Sequence, residues 1–295
     1  MIVTRRNSLL GRAGSALFYA VLTLYGFICA YPFLNMLAVS FSAPAYVITN
    51  KVFIFPMGAN VSNFRILVND FSYLRAYGNT ILYTVLGTTS ALFFSIITAY
   101  PLAKKRFPFR TTFMKLVVFT MFFSGGLIPT FLVIKMLGMY NRIWAVVIPN
   151  ALVAWNVIIL RTAFMGVPIE LEEASVMDGA TDLQILRRIF LPLSVPTIAV
   201  ITLYSSVGLW NDFFTPLVYL NDSDRWPLSV LLRQLVLSIN GMAEQEKIAN
   251  LLDEYIVEES YKATALIIST LPILMVYPFI QKYFVKGVMV GSIKG

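Results

Sequence analysis

The chain has 295 residues, of which 58% are hydrophobic and 13% charged, with a net charge of +8. A soluble domain carries about a quarter charged residues, so this chain has too few to cover itself and lipid must be part of its solvent. It contains no histidine and one cysteine, which excludes Ser/His and Cys/His nucleophile systems, an internal disulfide and the commonest transition-metal ligand.

Long charge-free stretches predict six membrane-spanning helices near 13–41, 79–103, 113–135, 143–165, 193–220 and 262–284. Each has room for the ~20 apolar residues that cross hydrocarbon, the fourth only just. The first follows Arg5, Arg6 and Arg12 like a secretory signal. Its apolar run exceeds the roughly 7–15 residues of such a signal, so it reads as an uncleaved anchor. Cys29 lies within it and reads as a small buried hydrophobe. A short loop, 42–78, with Pro56, Gly58, Asn63 and Asn69, links spans one and two.

Span three is interrupted by Ser124-Gly125-Gly126 and Pro129. Such a break reflects either close helix packing or a protein-lined cavity. Asn150, Trp155 and Asn156 in span four, with Tyr204, Trp210 and Asn211 in span five, mix aromatic faces with amides. Sugars are bound by that mixture; interfacial anchoring uses the same aromatics. Asp212 is a functional candidate if it lies at membrane depth. Beyond it, Leu228, Leu231, Leu232, Leu235 and Ile239 share one helical face, opposite Arg233, Gln234 and Ser238. That pattern predicts an amphipathic surface helix rather than a seventh span.

Six spans put both termini on one side. With that side cytoplasmic, its segments hold Arg5, Arg6, Arg12, Lys104, Lys105, Arg106, Arg110, Lys115, Arg161, Arg187, Arg188, Lys282, Lys286 and Lys294. Their acids are Glu170, Glu172, Glu173, Asp178 and Asp182. The whole basic excess then falls inside, as membrane topology requires, and no nucleic-acid role is needed to explain it.

The stretch 168–192, PIELEEASVMDGATDLQILRRIFLP, predicts two short soluble helices. Pro168 suits a first helical position, and Glu170, Glu172 and Glu173 suit the positive end of the dipole. Gly179 can end the first helix in a left-handed conformation. Thr181 with Gln184 forms a capping box for the second, which Pro192 stops. Leu183, Leu186 and Ile189 are read as one apolar stripe needing a cover, and the small Ala174 and Ser175 would let a partner approach the backbone.

This stretch resembles the cytoplasmic loop of bacterial ABC-importer permeases: Glu173-Ala174-Ser175, Gly179, Ile189 and Leu191-Pro192 keep the family spacing. Ser175 replaces the family's second alanine. The resemblance to the carbohydrate-uptake branch extends through 124–129, Leu209-Trp210-Asn211-Asp212-Phe213 and the tail from Gln281-Lys282-Tyr283-Phe284 through Gly291-Ser292-Ile293-Lys294-Gly295. It is closest to relatives that take up complex or acidic, alginate-like oligosaccharides. It implies a single all-α transmembrane domain over 1–295: an anchor helix, 13–41, core spans over 79–284, a coupling loop, 168–192, and the tail, 285–295.

By that resemblance, Glu172, Glu173, Ala174, Ser175, Asp178, Gly179, Leu183 and Leu186 meet a separate ATPase. Asn150, Trp155, Asn156, Tyr204, Trp210, Asn211 and Asp212 line the translocation path. Gly291, Ser292 and Lys294 in an extended tail contact the ATPases. The chain contains no GxxxxGK[ST] loop, so ATP and Mg are expected on partner chains and none on this one. The implied partners are a second, non-identical permease, two ATPases and an extracytoplasmic sugar-binding protein at the bacterial inner membrane. An ion-gradient-driven transporter of a polar solute is the alternative. It needs ionisable groups deep in the spans, and only Asp212 comes near. A membrane enzyme is disfavoured by the charge-free spans and the absent histidine.

Overall fold

The computed structural model describes residues 9–237 and 258–292, and every regular element among them is helical. Contacts divide the chain into two units, one of 1–70 with 235–269 and one of 71–234 with 270–295.

The first unit carries α1 (Leu9–Ser40), α2 (Pro44–Ile48), α3 (Ser62–Asn69) and the opening turns of the last helix. Residues 14–33 of α1 are exposed, and the helix is long and apolar enough to cross a membrane. Cys29 is therefore exposed on this surface, not buried among side chains as expected. The end of α1 is tied down. Asn35 donates to the carbonyls of Val52 (3.2 Å) and Phe53 (2.8 Å), and Phe41 stacks on Phe64 at 4.6 Å. The predicted loop 42–78 thus contains two helices, and the second span begins at Phe71 rather than near 79.

The second unit is built on α4 (Phe71–Ala103), which packs against α8 (Ala154–Met165) and α12 (Val195–Asn211). Gly87 permits the closest approach, since a Cβ there would fall 2.7 Å from Leu209 Cδ1. Predicted span three is two helices, α5 (Arg110–Phe122) and α6 (Leu127–Met136), meeting at 112°. Gly126 takes φ +82°, and Thr130 Oγ1 donates to its carbonyl at 2.7 Å. The same carbonyl accepts the Thr130 N–H at 3.3 Å, so Thr130 holds the start of α6 at the break twice over.

Predicted span four is also divided: α7 (Trp144–Val147) is separated from α8 by non-helical residues. Predicted span five ends as a helix at Asn211, and α13 (Phe214–Tyr219) follows a break at Asp212. Among the described residues, three helices are long and apolar enough to span by themselves, and up to six spans result if each bent pair counts as one.

Helix α14 (Leu228–Leu237) is the predicted amphipathic helix. It buries Leu228 and Val230 and exposes Arg233 and Gln234; Ser238 and Ile239 lie outside the described residues. The last helix, α15 (Glu258–Ser292), carries Pro272 and Pro278. Its helical course to Ser292 replaces the extended tail expected from 285, and no proline follows Pro278 to stop it.

Candidate functional site

Two groups of predicted residues form sites. The first is the elbow. Helix α9 (Ile169–Met177) starts after Pro168, with Glu170 and Glu172 in its first turn. It closes in a Schellman motif: Gly179 N–H donates to the Val176 carbonyl (3.0 Å) and Ala180 N–H to that of Ser175 (2.9 Å), with Gly179 at φ +79°. Helix α10 (Asp182–Ile185) opens with the predicted capping box. Thr181 N–H donates to Gln184 Oε1 at 2.8 Å, and Gln184 N–H to Thr181 Oγ1 at 3.4 Å.

Pro192 does not stop this helix. A π-turn, Leu186–Phe190, runs into α11 (Leu191–Leu193), and the chain bends by 80° at Ser194 into α12. Pro192 has no N–H to donate, so the α register already fails in the turn before it.

The apolar stripe is also different from the predicted one. Ile185, Leu186 and Phe190 are buried, whereas Leu183 is 71% exposed. The buried three pack with Ala99, Tyr100 and Leu102 of α4 and with Val157, Leu160 and Phe164 of α8. Tyr100, Phe164 and Phe190 form an edge-to-face trio with centroids 5.1–6.3 Å apart. Glu172 is half-buried and paired with Lys104 at 3.0 Å. Glu173, Ala174, Asp178, Gly179 and Leu183 form the exposed side; Ser175 is half-buried and donates to the Leu171 carbonyl at 2.8 Å. Met177 beside them is 87% exposed.

Lys104 was legible in the sequence only as a topological charge. In the structure its side chain is 6% exposed, its ammonium donates to Asp182 Oδ1 at 2.6 Å, and it lies 4.3 Å from the Tyr100 ring centroid. Arg106 shares Asp182, and Tyr100 Oη donates to the Asp182 carbonyl at 3.0 Å. Burial alone pulls the Lys104 ammonium down; its bonds to Asp182, Tyr100 and Glu172 prevail and hold it above its ordinary pKa. The Lys104 hydrogen bond holds the Asp182 carboxyl below its usual range, against a smaller opposing effect of burial.

The second group lines a cleft of about 460 Å³ formed by Ala91 of α4, the 150–156 segment and α12. It gathers Asn150, Trp155, Asn156, Tyr204 and Asp212 with Ser205 and Gly208. Trp155 and Tyr204 expose their rings (58% and 67%). Asn156 is buried and donates to Ser205 Oγ at 3.3 Å. Asn150 donates to the Val146 carbonyl at 3.1 Å, so its Oδ1 faces no protein donor through that bond.

Trp210 and Asn211 are not brought into this cleft. Trp210 meets Tyr77 edge-on at 5.9 Å, and Asn211 donates to the Val207 carbonyl at 3.0 Å. Asp212 accepts the Thr215 N–H at 3.1 Å at the start of α13, and its carbonyl accepts from Ser229 at 2.8 Å. The sequence missed Ser205 and Gly208. Their signal was helical spacing from Tyr204 and Asp212, one and four residues away on the same stretch. Among the tail residues, Gly291 and Ser292 end α15, and Lys294 lies outside the described residues. No group of three metal-ligating side chains occurs among the described residues.

A helical membrane subunit with a soluble elbow at one end of its central helices and a polar, aromatic cleft among them is the architecture of a transport permease. The chain belongs to the family described as binding-protein-dependent transport system inner membrane component, which matches residues 91–290. It is 41% identical to Protein LplC of Bacillus subtilis, covering 100% of this chain and 99% of that protein. It is 40% identical to the polygalacturonan/rhamnogalacturonan transport system permease protein YtcP of the same species, over 95% and 97%. A chain in the crystal structure of a bacterial ABC transporter involved in import of the acidic polysaccharide alginate superposes with a TM-score of 0.89. It shares 33% identity, over 95% of this chain and 100% of that one. A chain of the bacterial alginate ABC transporter in complex with an alginate pentasaccharide-bound periplasmic protein shares the fold, with a TM-score of 0.61 at 19% identity.

Proposed function

We propose that this permease is one of two transmembrane subunits of an importer that moves oligosaccharides, including acidic ones, inward at the expense of ATP hydrolysed on separate chains. The observation that carries the reading is the elbow. It is capped at both internal ends, anchored at its base, and offers Leu183 and Met177 to an aqueous phase that gives no return for exposing them. Such a surface fits a partner. Its exposed Glu173, Ala174, Asp178 and Gly179 form the ATPase contact, and Ser175 lies at its margin, while Glu172 and Leu186 form its base. The cytoplasmic placement of the elbow and both termini follows from the basic excess on that side.

The cleft supports the substrate class: exposed Trp155 and Tyr204 rings suit sugar C–H faces, and the Asn150 and Asn156 amides suit hydroxyls. The relatives' named cargoes, polygalacturonan/rhamnogalacturonan and alginate, are sugar polymers. A binding protein delivers the oligosaccharide, a second and unlike permease completes the path, and two ATPases holding ATP and Mg drive alternating access. Asp212, the one acid that an ion-driven transporter required, is engaged in starting α13. That removes the observation favouring the alternative.

The test places a photocrosslinker at Ser175 or Ala174 in the assembled importer. Crosslinks to the ATPase support the reading; crosslinks confined to the binding protein, or none, overturn it.

A further inference from the structure

We infer that Lys104 is a positioning residue that joins the elbow to α4, so that a displacement of the elbow becomes a displacement of α4 and of the cleft. The inference rests on the elbow being the ATPase contact.

Lys104 immediately follows α4, whose last turn is held from three directions. Arg161 Nε of α8 donates to the Leu102 carbonyl at 3.0 Å. Tyr100 meets Phe164 and Phe190 in the aromatic trio. The Lys104 ammonium reaches both helices of the elbow at once, Glu172 on α9 at 3.0 Å and Asp182 on α10 at 2.6 Å.

The aromatic contacts reach only the π-turn. Helix α9 buries no side chain completely, so the Glu172 pair is the polar contact that fixes it to α4. The ammonium is nearly excluded from water and lies over the Tyr100 ring at 4.3 Å. That makes it a fixed joint rather than a mobile surface pair, because its alternatives are solvent it cannot reach. An uncharged side chain leaves Glu172 and Asp182 without the cation they share.

The experiment uses the complete importer in proteoliposomes with Lys104→Met, Lys104→Arg and Asp182→Asn. It measures sugar moved per ATP hydrolysed, alongside crosslinking from Ser175. In Lys104→Met the crosslink persists while sugar per ATP falls roughly tenfold, within the range typical of coupling free energies. Lys104→Arg restores most of it. Asp182→Asn, which removes the exposed one of the two carboxylates on Lys104, gives an intermediate loss and carries the test if Lys104→Met does not assemble. An unchanged ratio in Lys104→Met, or in Asp182→Asn where that variant alone assembles, overturns the inference and leaves the docking reading intact. A Lys104→Arg variant as uncoupled as Lys104→Met also overturns it, since the cation is then not what acts. Absence of the crosslink in the unsubstituted background overturns both.

Discussion

Replacing Gly179 by alanine isolates the contribution of a single backbone conformation. Gly179 has φ +79°, and a Cβ built there meets nothing within 4 Å. No packing changes, so the cost is the left-handed conformation alone, about 1–2 kcal/mol for an L-residue. Both Schellman hydrogen bonds depend on that conformation. The elbow then occupies its capped form roughly 5–30 times less favourably relative to its frayed form. Amide hydrogen exchange at residues 175–185 reads this directly, as protection lowered by that factor. ATPase activity of the assembled importer falls at limiting ATPase-subunit concentration and recovers at saturating concentration. Gly179→Asn, whose side chain tolerates the left-handed region, lies between the two. Unchanged exchange in Gly179→Ala, with unchanged activity at limiting ATPase, refutes both the strain reasoning and the need for a preformed elbow.

Trp155→Ala and Tyr204→Ala each remove an exposed ring from the cleft. Each should reduce uptake at low sugar concentration about fivefold to tenfold, as loss of a ligand-contacting aromatic does; initial-rate uptake of labelled oligosaccharide checks it, and Trp155→Phe should stay near the parent. The clip predicts a flat pH response near neutrality. Asp182 is depressed, so its contribution is present above about pH 4 and lost as pH falls through its folded pKa; Lys104 is raised, so its contribution is present below about pH 10 and lost above. Sugar moved per ATP should therefore show no step between pH 5 and 9 that Asp182→Asn abolishes. Gly87→Leu must displace Leu209, whose Cδ1 lies only 2.7 Å from where a Cβ at 87 would fall. Overpacking of about 1–3 kcal/mol should lower the thermal midpoint in detergent, while Gly87→Ala needs only rotation of the Leu209 end and should shift it little.

Much of this was legible in residue order because it rests on local rules. The capping box at Thr181 and Gln184, the left-handed stop at Gly179 and the break at Gly126 depend on neighbours within four residues. The amphipathic α14 follows from helical spacing alone. What escaped depends on contacts distant in sequence. Lys104 and Asp182 are 78 residues apart, and a lysine in a basic cluster gives no sign that it is enclosed. Leu183 and Leu186 read as one stripe by spacing, but the face that packs on α4 and α8 centres on Ile185, Leu186 and Phe190 and leaves Leu183 exposed. Trp210 and Asn211 are next to Asp212 in sequence, yet their neighbours on the helix turn them toward Tyr77 and the backbone instead of the cleft. Composition showed how much apolar chain there was. It could not show that spans four and five would be divided, since hydropathy carries no information on direction.

The two sites lie on one rod. Ala91 of α4 lines the cleft, and Lys104 follows the same helix at the elbow. Thirteen residues at 1.5 Å each place them about 20 Å apart. Between Ala91 and Tyr100 the sequence LFFSIITA has neither glycine nor proline, and Pro101 perturbs only the turn before it at the elbow end, so the helix has no built-in hinge beside the cleft. A tilt of about 10° imposed at the elbow moves the cleft end by some 3 Å, the scale on which packed helices exchange one arrangement for another. Helix α12 leaves the same elbow through the 80° bend at Ser194 and carries Tyr204, Ser205 and Gly208 on the facing wall of the cleft. A push on the elbow therefore acts rigidly on one wall and through a bend on the other. The two walls move unequally, and a cleft whose walls move unequally must open or close.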